Sequence, residues 1–134
     1  MGSIEYLNPA GLLQNNAFSQ IVITRGGGKT IYVGGQNSIN EKREIIGIND
    51  VKLQTEKIMQ NLEVALKSCG ATFSNLVKLS IHIVQGHHAL AAFEVSQKFL
   101  RNNKYPPAIT VVYVSGLANP QYLLEIDAIA FIPD

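Results

Sequence analysis

The residues best placed to do chemistry are Glu125 and Asp127, two acids one residue apart inside the apolar run Leu123 to Ile132. On a strand, residues two apart point the same way and stand about 6.6 Å apart. Both carboxylates therefore leave one face, with Leu123, Ile129 and Phe131, while Leu124, Ile126, Ala128, Ala130 and Ile132 share the other. Carboxylates on a face that is otherwise apolar need a cation, a hydrogen bond or water. Two uses follow. They are ion-pair or rim residues of a subunit interface, or one is a cleft acid between subunits.

Other reactive residues form no such arrangement. His82 alternates with Ile81 and Ile83, and His87 and His88 are adjacent and diverge. No Cys or carboxylate spacing completes a ligand set, so no metal site is expected. Cys69, the one cysteine, falls at helical spacing among apolar neighbours and reads as a buried filler. Gly26-Gly27-Gly28-Lys29 lacks the spacing of a phosphate loop, and no Gly-x-Ser-x-Gly elbow occurs.

The elements that must position the acids can be read from periodicity. Phe18 to Arg25 and Thr30 to Gln36 read as strands joined by the Gly26–Lys29 turn, a hairpin. Asn37 to Asn49 is polar and irregular. Asn49 or Asp50 caps a helix running to Gly70, with Val51, Thr55, Ile58, Leu62, Ala65 and Cys69 on its apolar face. Leu76 to Val84 is a strand. His88 to Asn102 is a second helix, with Ala89, Ala92, Phe93, Ser96, Phe99 and Leu100 inward, and Tyr105-Pro106-Pro107 breaks it. Ala108 to Gly116 and Leu123 to Ile132 are the last strands.

The order is β-β-α-β-α-β-β, an α+β sheet with two helices on one face. Ile109 to Val114 is apolar at nearly every position, a pattern that asks for burial on both faces. Two helices cover only one face, so a symmetric oligomer is expected to cover the other.

Composition sets the outer limits. The 134 residues are 46% apolar and 16% charged, which excludes disorder and fits a single domain, 1–134. A net charge of +1 without a basic-aromatic stripe makes nucleic acid an unfavoured partner. No run reaches the ~20 apolar residues of a membrane span, and Met1 to Tyr6 has neither a basic start nor an apolar run. With one cysteine, the expected location is a reducing cytoplasm.

Five segments carry a resemblance: Ile31-Tyr32-Val33-Gly34-Gly35-Gln36, Cys69-Gly70-Ala71 after the first helix, Leu76-Val77-Lys78-Leu79, Tyr105-Pro106-Pro107-Ala108, and Leu124-Glu125-Ile126-Asp127-Ala128-Ile129-Ala130. In order and spacing the chain resembles the Rid family, also called YjgF or the liver perchloric-acid-soluble protein family, from about Phe18 to Phe131. The resemblance implies a chorismate-mutase-like α+β fold and a homotrimer with ligand clefts between subunits. Its best-known members hydrolyse enamine and imine intermediates to 2-keto acids and ammonia without a cofactor. There a cleft Arg holds the substrate carboxylate, and a Glu on the last strand positions the attacking water.

Carried over by position, that Glu is Glu125. The Arg of the family's Pro-Ala-Arg-Ser falls on Ile109, and the Cys two residues later on Val111. The Tyr of the first-strand motif falls on Phe18, the Ser before Gly-Gln on Gly34, and an Asn of the second helix on Phe93. The acid is kept and the carboxylate clamp is lost. The expected cleft is therefore Glu125 with Phe18, Gly34, Gly35, Phe93, Ile109 and Val111.

Two functions stay open. One is a diverged Rid-type hydrolase or small-molecule binder acting on something other than a 2-imino acid. The other is a non-enzymatic trimeric binding or interaction protein; a translation-inhibiting ribonuclease fits the charge poorly.

Overall fold

The last apolar run does not lie at the sheet margin. In the computed structural model, which describes residues 1–134, it becomes the second strand of a four-stranded sheet. In chain order the elements are β1 (Ser3–Leu7), β2 (Ile21–Arg25), β3 (Gly28–Gln36), α1 (Val51–Ser68), β4 (Leu76–Val84), α2 (Ala89–Leu100), β5 (Ala108–Val114) and β6 (Leu124–Pro133), with one 3₁₀ turn at Phe73–Asn75. The sheet order is β3-β6-β4-β5. β6 runs antiparallel to both of its neighbours, and β4 and β5 are parallel. The expected α+β layout with two helices is present.

The core explains that placement. Leu124, Ile126, Ala128 and Ala130 of β6 are buried together with Leu79, Ile81 and Ile83 of β4. Ile58, Met59, Leu62 and Leu66 of α1 and Ala92 and Leu100 of α2 close over them. The buried stripe of α1 is Gln54, Thr55, Ile58, Met59, Leu62 and Leu66. It is turned from the stripe read off the sequence, in which Val51 and Cys69 end up only partly buried. On α2, Val95 is buried where Phe93 and Phe99 are half-buried.

Local chemistry sets the helix ends. The Asp50 carboxylate accepts from the Leu53 N–H at 3.0 Å, an N-cap. At the other end the N–H groups of Gly70 and Ala71 donate to Lys67 and Leu66 carbonyls, a Schellman closure. Gly70 takes φ +78°, which an L side chain would resist.

One expectation needs correction. The sequence reading missed β1, and the hairpin it placed between the first two strands does not form. β2 pairs with β1 over Ser3–Leu7 and Ile21–Arg25 as a separate two-stranded ribbon. β1 takes one edge of β2, and Gly26, at φ +72°, lets the chain turn out of that ribbon and into the other sheet. Tyr6 fastens the ribbon. Its ring stacks on Tyr105 at 5.2 Å, its hydroxyl donates to the Leu76 carbonyl, and burial pushes its phenol above the ordinary pKa.

The expected covering of Ile109 to Val114 by an oligomer lies outside a single chain. The chain does not bury this run on both faces. β5 is an edge strand, and Val111, Val112 and Tyr113 are 41, 39 and 55% exposed.

Gln54 ties the layers. It is fully buried, its Nε2 donates to the carbonyls of Gly47 and Gln121, and its Oε1 accepts from the Leu123 N–H at 2.9 Å. Gln54→Leu keeps the volume and strands these groups. We expect a loss on the order of 3 kcal/mol, since each buried orphan costs about 1–3 kcal/mol. Urea unfolding measures it.

Candidate functional site

The sheet face away from the helices holds the acids. Register places Glu125 opposite His82, Asp127 opposite Ser80, and Ile129 opposite Lys78 and Tyr32. Thr110 and Val112 of β5 continue the Ser80 and His82 rows. Lys78 Nζ donates to Thr110 Oγ1 at 2.6 Å, which shows the two on one face. This face is thus a polar stripe between Tyr32, which is 77% exposed, and Val112 of β5. Glu125 and Asp127 are both half-buried on it, and they point the same way, as alternation requires.

Glycine positions the Glu125 side chain. Between Val33 and Gln36 the β3–β6 register slips by one residue, so Gly34 and Gly35 together oppose Asp127, a β-bulge. A Cβ at Gly35 would stand 2.6 Å from Glu125 Cδ and 2.8 and 2.9 Å from its two oxygens. A Cβ at Gly34 would meet nothing within 4 Å. Gly35 is therefore the floor against which the carboxylate lies, and Gly34 is not. The lone ion pair within 4 Å in the chain is Arg25–Glu5, so Glu125 has no cation beside it.

The remaining expected cleft residues sit elsewhere in the chain. Ile109 and Val111 pair with Leu79 and Ile81, the helix-side rows, so they face away from Glu125. Phe93 lies on α2, in the helical layer. Phe18 is not on a strand. Its neighbour Ser19 is buried, donates its hydroxyl to the Pro106 carbonyl at 2.6 Å and its N–H to the Pro107 carbonyl at 3.0 Å, and so pins the Phe18 segment to the entry of β5. One chain therefore gathers Glu125, Gly34 and Gly35 on one side of the sheet. It leaves Ile109, Val111 and Phe93 on the other, a consequence of period-two alternation. A chemistry-bearing residue that the sequence reading passed over is His82, which shares the Glu125 row. Its alternation with two isoleucines was visible, but the strand it would face was not.

The concavities of the chain are not at Glu125. One of about 440 Å³ lies between α1 and α2, lined by Leu53, Val95 and Phe99 with Lys52, Glu56 and Lys98. Another, of about 590 Å³, lies beside Gln36 and Asn61. His87 and His88 follow the end of β4 and form no cluster with His82. No helix is long and apolar enough to cross a membrane.

Comparison with known proteins agrees with this architecture. The family model described as Endoribonuclease L-PSP matches residues 10–132. A RutC family protein of Pyrococcus abyssi is 30% identical over 104 residues, 78% of this chain and 80% of that one. Protein DfrA of Myxococcus xanthus is 31% identical over 103 residues, 77% of this chain and 76% of its own. The crystal structure of YyfB, a Rid-family protein of unknown function from Yersinia pestis, superposes with a TM-score of 0.86 at 29% identity, covering 96% of this chain and 98% of that one. The chain belongs to the Rid family, also described as the Endoribonuclease L-PSP family. Membership supports a small-molecule-binding or hydrolase-like role.

The two bulge glycines give a contrast. Gly35→Ala pushes the Glu125 carboxylate, the free end of a flexible side chain, out of its place. The stability cost is expected to be about 0.5–1.5 kcal/mol, that of an off-rotamer side chain. Gly34→Ala leaves both stability and the carboxylate unmoved. Urea unfolding and the Glu125 carboxyl carbon shift in NMR read the difference.

Proposed function

We propose that this Rid-family chain assembles as a homotrimer and holds a small molecule in a cleft between subunits, with Glu125 as its working acid. The observation that carries this reading is the Glu125 carboxylate itself. It is half-buried, it lies on a glycine floor, and no cation compensates it. Holding an acid in that state is costly without a task.

Three further observations support a site completed by a second copy. None of the chain's concavities is lined by Glu125, so a second wall is needed. The apolar edge β5 is exposed. The chain also exposes 7695 Å², against about 6,900 Å² for a monomeric protein of this mass. In such an assembly, β5 with Ile109 and Val111 is the piece of a neighbour that can reach a Glu125 face.

As a hydrolase, the site would work by general base catalysis. Glu125 takes a proton from a water, and the water oxygen bonds to an electrophilic carbon such as that of a C=N group. The C=N π pair moves onto nitrogen, which takes that proton from Glu125; Glu125 then removes the hydroxyl proton of the adduct and delivers it to the same nitrogen as the C–N bond breaks, so that a carbonyl compound and an amine or ammonia leave. The substrate is not a 2-imino acid. Ile109 stands where the family's clamp would be, and without a charge-assisted hydrogen bond a carboxylate loses about 1.5–3 kcal/mol. A trimer that binds without turnover is the second reading, favoured by the apolar residues at Phe18, Phe93, Ile109 and Val111. No cofactor enters either reading, and neither nucleic acid nor a membrane is required as a partner.

Light scattering at micromolar concentration is expected to give the mass of three chains; a monomer removes the second wall and with it the reading. When a lyase generates the 2-imino acid from threonine or cysteine, this protein is expected not to hydrolyse it at a rate comparable with a clamp-bearing relative.

The acid itself is tested by Glu125→Gln. With the substrate in hand, turnover should fall by about 10²–10⁴-fold, the usual worth of a general base. The trimer and its melting temperature should stay intact. A loosened, less stable trimer with unchanged ligand binding would instead mark Glu125 as an interface ion-pair residue.

A further inference from the structure

We propose that His82 is the second polar contact of the Glu125 cleft, and that the two side chains together select a neutral group with adjacent hydrogen-bond donor and acceptor, a carboxamide or lactam, over a carboxylate. The inference rests on the reading of Glu125 as the centre of the cleft.

Register is the first ground. His82 and Glu125 are cross-strand partners on β4 and β6 and leave the same uncovered face. Directly opposite residues hold their Cβ atoms about 4.5–5.5 Å apart. No ion pair joins them, since no imidazole nitrogen and carboxylate oxygen in the chain approach within 4 Å. The two heads therefore stand more than 4 Å apart, without direct contact.

The second ground is the imidazole itself. Its Nδ1 is buried and has no hydrogen-bond partner, one of two such side-chain atoms in the chain. Nε2 is not among them and is the nitrogen presented to the open face. The tautomer with its proton on Nε2 leaves a lone pair at the buried Nδ1, rather than an orphan N–H, and gives the face a donor. Glu125 beside it is an acceptor. Packing alone gives no reason for a histidine between Ile81 and Ile83, facing Val112 across β5.

Charge decides the ligand class. The charged groups on this face are Glu125, Asp127 and Lys78. Lys78 is two rows away, roughly 13 Å along the sheet, and is engaged with Thr110. A ligand carboxylate at Glu125 would meet two acids and no near cation, and Ile109 brings none from a neighbour. A neutral amide fits: its carbonyl accepts from His82 Nε2 and its N–H donates to Glu125.

The test uses a matched pair of probes, 2-pyrrolidinone and its carboxylate-bearing analogue pyroglutamate. They are titrated by NMR into the assembled protein with ¹⁵N-labelled histidine, for the native chain, His82→Phe, His82→Gln and Glu125→Gln. The lactam is expected to shift His82 Nε2 and to bind at least about tenfold more tightly than pyroglutamate, the worth of one good hydrogen bond. His82→Phe should weaken lactam binding by a similar factor. His82→Gln, whose amide N–H₂ reaches near the place of Nε2, should restore most of it, with the assembly unchanged.

Equal or tighter binding of pyroglutamate, or no Nε2 shift at high lactam concentration, overturns the inference. So does lactam binding that is indifferent to His82→Phe. If Glu125→Gln abolishes lactam binding while His82→Phe does not, the cleft reading stands and only the role of His82 falls. Binding indifferent to both variants overturns the two together. Should His82→Phe fail to fold, the Nε2 shift and His82→Gln decide.

Discussion

The structure depends on β6 being gripped from both sides. Antiparallel ladders to β3 and β4 hold its backbone, and the helices cover Leu124, Ile126, Ala128 and Ala130. Burial of each large side chain contributes about 1.5–3 kcal/mol, so this face cannot turn outward at tolerable cost. A strand with one face fixed inward has no choice about the other. Glu125 and Asp127 are held on the uncovered side by the same term that builds the core, and a one-residue slip would exchange them with Leu124 and Ile126. The acid is placed by hydrophobic burial rather than by its own bonds.

Two local devices then adjust what the central strand imposes. Gln54 reaches from α1 to the Leu123 N–H just before β6 and to the carbonyl of Gln121, so the entry of the strand is tied to the helix. The Gly34–Gly35 bulge widens β3 where the Glu125 head lies. With a Cβ at Gly35 the carboxylate would have to leave the sheet surface. One device sets where the strand starts and the other sets where its reactive group rests.

The face that carries Glu125 is chemically mixed. Lys78, Ser80, His82, Thr110 and Asp127 make it too polar for a dry core, while Tyr32, Val112 and Ile129 make it too apolar to be an ordinary solvated surface. A surface of this kind suits a wet, partly enclosed site. Ile109 and Val111 stand on the other side of the sheet from Glu125, so one chain by itself does not bring the two sets together.

Much of this was legible in the residues. Alternation told that Asp127 and Ile129 leave with Glu125, because the period of a strand is two whatever it pairs with; Leu123, read with them, precedes β6 and is buried in the core. Asp50 and Gly70 marked the ends of α1, since capping is local chemistry. The run of spaced segments identified the family. What could not be read was pairing. β1 is five residues long, and its partner β2 lies beyond a thirteen-residue connection, so no local turn signal joined them. The triple glycine suggested a hairpin, but a glycine turn permits many exits, and β2 pairs with β1 instead of β3. His82 and Glu125 are forty-three positions apart, and only the tertiary ladder made them neighbours. Sequence determined which face each side chain takes, a property of one strand; the folded sheet decided what stands opposite, because register is set by the burial of several strands at once.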